Sequence, residues 1–147
     1  MAEIRFYHLV NSSAYQAMPM LLQKASDMGI TGVVLVPRNM MTKMSDALWQ
    51  GGEKTNFIAH DVGDGESDAP FRLLSSTDGE GVQTLFAVDD VPSTLVEKVN
   101  LVCYMFNGLD MSVLGNARKI WRTLTENKDN TVAYYKQTES GGWVKKH

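Results

Sequence analysis

The sequence predicts an α/β fold on a mostly parallel sheet, and three observations carry that expectation. Short β-branched or aromatic runs alternate with segments whose apolar residues recur at helical spacing. Thr31 to Val36 reads TGVVLV, a continuous apolar run of the kind that parallel sheets bury on both faces. The chain has 147 residues, 44% of them hydrophobic, which suits one three-layer domain spanning 1–147.

The elements follow in order. Ile4 to Val10 (IRFYHLV) has the length and composition of a first strand. Asn11-Ser12-Ser13 supplies caps for a helix over Ala14 to Met28, whose apolar face is Ala14, Met18, Leu21, Leu22 and Ala25 and whose stop signal is Gly29. Pro19 removes a donor inside that helix and is expected to kink its first turns. Thr31 to Val36 is the second strand, ended by Pro37. Thr42 to Gln50 reads as a second helix with Met44, Ala47 and Leu48 facing inward, and Phe57 to Val62 as a short strand. Gly63 to Ala69 is a polar loop. Pro70 to Leu74 and Val82 to Val88 bracket the turn-rich Ser75 to Gly81, which predicts a hairpin. Val99 to Phe106 is a further apolar strand. Asn107-Gly108 turns the chain, and Asp110 caps a helix reaching about Glu126. Thr131 to Lys136 is a late strand, after which Gly141-Gly142-Trp143 reads as the ending of the chain.

Charge and cysteine content limit the function classes. Fourteen Lys and Arg against seventeen Asp and Glu leave a net charge of −3, which argues against bulk nucleic-acid binding while leaving room for a small basic patch. The apolar content is too high for a disordered chain. Cys103 is the single cysteine, the first ten residues lack the apolar core of a signal peptide, and no apolar run is long enough to cross a bilayer. A reducing cytoplasm is the expected address.

Candidate chemistry is sparse. Nucleotide binders need glycines after the first strand so that backbone amides can approach phosphate, yet that junction reads Asn11-Ser12-Ser13-Ala14. Gly63-Asp64-Gly65 lies in an acidic loop that would repel phosphate. No G-x-S-x-G elbow occurs, and Cys103 sits inside an apolar strand. His8, His60 and His147 are dispersed, and the neighbours His60 and Asp61 point to opposite faces of a strand. Asp61, Asp64, Glu66 and Asp68 lack the spacing of a calcium loop. The expectation is therefore no catalytic residue, no metal and no cofactor.

The last helix is different. Val113, Ala117, Ile120 and Leu124 form its buried stripe. Trp121 and Leu114 fall at the edge of that stripe, and Arg118 and Arg122 follow one turn apart. An apolar notch beside paired guanidinium groups suits a ligand with an aromatic tip and carboxylates, such as a C-terminal carboxylate after an aromatic residue. A second patch, Asp46-Ala47-Leu48-Trp49 with Phe57 and His60, places a tryptophan near a turn, where such side chains often anchor interfaces.

Together, Phe6-Tyr7, Asp46-Ala47-Leu48-Trp49, Phe57 with His60, and Ala117-Arg118 with Trp121-Arg122 resemble the chi subunit family of bacterial DNA polymerase III holoenzyme. The resemblance runs through nearly the whole chain. It implies a non-catalytic accessory protein of the DNA replication machinery, with a Rossmann-like α/β fold lacking the phosphate-binding glycine loop. Such a protein links the clamp loader, through the psi subunit, to the acidic C-terminal tail of single-stranded DNA-binding protein. It touches DNA only indirectly, has no membrane attachment, and is a monomer or heterodimer.

Carried onto this chain, the resemblance gives the tail to Leu114, Arg118, Trp121 and Arg122, and the psi subunit to Trp49, Phe57 and His60. Two positions depart from the family pattern. Leu114 stands where some relatives have a basic residue, and Phe57-Ile58-Ala59-His60 lacks the family's proline. Lys145 and Lys146 near the end of the chain are candidates for the missing charge. A small cytoplasmic α/β enzyme, a hydrolase or nucleotide-dependent transferase, is the alternative, and a direct nucleic-acid binder is a third reading.

Overall fold

The computed structural model describes residues 2–49, 60–62, 71–77, 79, 81–140 and 142–147. Among these residues eight strands form one sheet, in the order β3-β4-β2-β5-β6-β1-β7-β8. They are β1 (Glu3–Leu9), β2 (Gly32–Leu35), β3 (His60–Val62), β4 (Phe71–Leu74), β5 (Thr84–Val88), β6 (Leu101–Asn107), β7 (Thr131–Gln137) and β8 (Trp143–Lys145). Every ladder is parallel except that between β7 and β8. The expected α/β fold with a mostly parallel sheet is the one observed.

Strand alternation divides the core in two. Ile4 and Phe6 of β1, with Val102 and Tyr104 of β6, face α3 (Ser93–Val96) and α4 (Met111–Glu126). Tyr7, Leu9, Cys103 and Met105 face α1 (Ala14–Asp27) and α2 (Met41–Trp49) on the other side. β5 is buried along its whole length, as its position between two strands and two helical layers requires.

The helix signals act as physical chemistry predicts. The Gln16 side chain accepts a hydrogen bond from the Ser13 N–H at 3.1 Å, and Gly29 adopts φ +75°. The Ile30 N–H then donates to the Ala25 carbonyl at 2.8 Å, closing a Schellman motif. α1 runs through Pro19, which is buried and cannot supply the bond its N–H would otherwise give to the Tyr15 carbonyl. At α4 the Asp110 carboxylate accepts from the Ser112 and Val113 N–H groups at 3.0 and 3.3 Å.

Two expectations need correction, and one short element was not foreseen. The segments around Pro70 to Leu74 and Val82 to Val88 do not form a hairpin, because β2 lies between β4 and β5 and pairs in parallel with both. Both strands are almost wholly buried, so each needs a neighbour on either edge. Gly32 lets β2 approach β5 closely, since a Cβ there would strike the Thr84 carbonyl. The last segment is not a mere ending, because β8 folds back as an antiparallel edge strand on β7. A short α3, too brief for periodicity to show, covers the core beside α4 with Leu95 and Val96.

Candidate functional site: a cavity between α4 and β7

α4 lies over β6 and β7, with Ala117, Ile120 and Leu124 buried. Rotation by one or two positions brings Leu114 and Trp121 to the seam with β7, and places Arg118 and Arg122 in solvent. The β1–β7 ladder pairs Phe6 with Tyr134 and so aims Tyr134 at the same seam. Trp121 is fixed there by ring edges, at centroid distances of 5.1 Å from Phe6 and 5.4 Å from Tyr134. The His147 ring closes on its remaining side at 5.1 Å.

These walls enclose a cavity of about 230 Å³ lined by Leu114, Ala117, Arg118, Trp121 and Tyr134. An apolar cavity of about 150 Å³ already admits benzene, so one phenyl side chain fits. The apolar wall and the Arg118 guanidinium at its edge match an aromatic group next to an anion. Of the four residues expected to act together, three line this cavity. Arg122 stands one turn further along the helix, exposed and outside the lining.

Tyr134 was not singled out by the sequence, because strand alternation gives a residue's face but not its neighbour across the sheet. Its phenol shares a 2.7 Å hydrogen bond with His8 Nδ1. Burial raises the Tyr134 pKa, and the nearby Arg118 charge works against that shift. The His8 pKa is held below its usual value, first by burial and then by the Lys136 and Arg118 charges. The turn after β6 can close over His8 because residue 108 is glycine, and a Cβ there would strike the imidazole.

Lys145 and Lys146 separate. The ladder sets Lys145 opposite Tyr135, on the α1 side of the sheet. Lys146 falls opposite Tyr134, its N–H donating to the Tyr134 carbonyl at 2.7 Å, on the α4 side.

The junction that holds phosphate in nucleotide-binding folds is filled by the chain itself. The Val10, Asn11 and Ser12 N–H groups all donate to Gln137 Oε1, at 3.2, 2.9 and 3.0 Å. Gln137 Nε2 donates in turn to Ser12 Oγ at 2.7 Å. A buried carboxamide thus takes the place of an anion. Gln137 is a residue that reading the turn alone could not find. The wider cleft beside it, about 900 Å³, is floored by Tyr7, Met105, Tyr135 and Trp143, and among the described residues that line it Lys24 is the only cation. Among the described residues no group of His, Cys, Asp and Glu is placed to hold a metal ion, and no helix is long and apolar enough to cross a membrane.

The second expected patch is seen in part. Trp49 is the last residue of α2, and His60 opens β3 at the register position beside Phe71. Phe57 lies outside the described residues, as do the loop from Gly63 to Ala69 and the carboxylates within it. β3 is one edge of the sheet, whereas β7 and β8 form the other.

A comparison with curated proteins finds no match. The family model of the DNA polymerase III chi subunit, HolC, matches residues 1–130, which take in β1 through the end of α4 and leave β7 and β8 outside. The chain belongs to this family of DNA polymerase III accessory subunits.

Proposed function

We propose that the protein is a non-catalytic adaptor that binds the acidic, phenylalanine-ended tail of single-stranded DNA-binding protein in the α4–β7 cavity and joins the clamp loader through a psi subunit. The observation that carries this reading is the cavity itself: phenyl-sized, walled by Leu114, Trp121 and Tyr134, and edged by Arg118. Family membership supports a protein-binding role within the polymerase assembly. The self-filled β1–α1 junction speaks for the adaptor over a nucleotide-dependent enzyme. The region of Trp49, Phe57 and His60 is assigned to psi; Trp49 and His60 lie toward the edge of the sheet opposite β7 and β8, which allows two partners to be held at once.

Burying the phenyl ring contributes about 1.5–3 kcal/mol, and each charge-assisted hydrogen bond about 1.5–3 kcal/mol. Ordering a flexible tail offsets about 2–5 kcal/mol of this. The balance is no better than roughly micromolar affinity, weakened by salt because the charges are partly exposed. A tether of that strength can exchange as the machinery moves.

Affinity capture tests the reading. Immobilised protein should retain intact single-stranded DNA-binding protein and release it when the last phenylalanine is deleted. Equal retention of both forms would refute the cavity assignment.

A further inference from the structure

We infer that the acidic tail is held from both walls of the cavity, with Lys136 and Lys146 on the β7–β8 edge supplying the cations that α4 lacks at Leu114. The inference rests on the tail-binding reading and extends it to strands that lie beyond the matched residues 1–130.

Register carries the argument. The β1–β7 ladder pairs Phe6 with Tyr134 and His8 with Lys136, so Lys136 emerges one pleat beyond the cavity wall, on the α4 side. The β7–β8 ladder sets Val144 opposite Lys136, and the next step sets Lys146 opposite Tyr134. Lys136 and Lys146 are both exposed. They border a shallow depression of about 400 Å³ together with Val144, and Glu139 also borders it. Lys145 faces the other way, so of two adjacent lysines one shares the face of the cavity.

The electrostatics agree with this placement. Lys136 and Arg118, from different elements, both act on the His8 imidazole that is bonded to Tyr134. A tail whose phenyl ring enters beside Tyr134 therefore has a cation on either hand, Arg118 from the helix and Lys136 from the strand. The carboxylates that precede the ring run over Tyr134 toward Lys136 and Lys146, not along α4 past Leu114.

The test is a fluorescence titration of a labelled synthetic peptide of aspartates ending in phenylalanine, at low and moderate salt. It compares the full-length protein with Lys136→Ala, Lys146→Ala, Lys145→Ala and Arg118→Ala. Each lysine is exposed, and equal unfolding temperatures verify that the variants fold. Lys136→Ala and Lys146→Ala should each weaken binding roughly three- to fivefold and flatten its salt dependence. Lys145→Ala, which makes the same change in net charge, should bind like the unaltered protein. If Arg118→Ala loses binding while Lys136→Ala and Lys146→Ala retain it, the strand-side grip is overturned and the tail-binding reading stands. A peptide that fails to bind the unaltered protein overturns both.

Discussion

At the scale of single residues, burial sets the chemistry. Cys103 faces α1 from the centre of the sheet at 2% exposure, and its thiol is pushed up to about 12, chiefly by that burial. A thiolate is the reactive form, so a disulfide reagent should modify no thiol in the native protein at mildly alkaline pH and one thiol after unfolding. Prompt reaction of the native protein would place β6 elsewhere. His8 resists protonation in the fold, whereas in the unfolded chain it takes up a proton near 6.5. The unfolded state therefore binds more protons as pH falls, and folding loses stability. The advantage of the natural protein over His8→Gln should shrink between about pH 7 and about pH 5 in chemical denaturation. An advantage that grows on acidification would contradict a half-buried imidazole that resists protonation.

At the scale of elements, caps and packing decide what holds. Asp110→Ala leaves two N–H groups of α4 without their acceptor and should cost about 1 kcal/mol. Leu124→Ala opens the core under the same helix and should cost about 2–5 kcal/mol. Gln137→Leu would strand three N–H groups at the β1–α1 junction, with an expected loss of at least about 1–3 kcal/mol by denaturant unfolding.

The same elements show what was legible in the sequence. α4 was readable to its cap because a 3.6-residue period and an Asp N-cap are local signals. That period also brought Leu114, Arg118 and Trp121 to one side. Tyr134, Lys136 and Gln137 were not readable as site residues, since their roles depend on which strands neighbour β7. The supposed hairpin failed for the same reason: a turn-rich link between two strands does not reveal that β2 lies between them. β8 was missed because Gly142 and Trp143 read as an ending, and only the ladder to β7 makes them a strand.

At the scale of the whole molecule, the sheet separates two candidate surfaces. The α4–β7 cavity lies near one edge, and β3 lies at the other, with α2 packed against its neighbour β4. The phosphate position of this fold is occupied by Gln137, and the phenyl-sized cavity lies instead at a helix–strand seam. Under the proposed function the seam reads a phenylalanine followed by its own carboxylate. The most direct test is a titration of the phenylalanine-ended aspartate peptide against the natural protein and Arg118→Ala, repeated with the last phenylalanine removed. The expected result is saturable, salt-sensitive binding that Arg118→Ala and removal of the ring each abolish, with thermal unfolding of the variant unchanged. Binding that survives both changes, or no binding at hundreds of micromolar peptide, would contradict it.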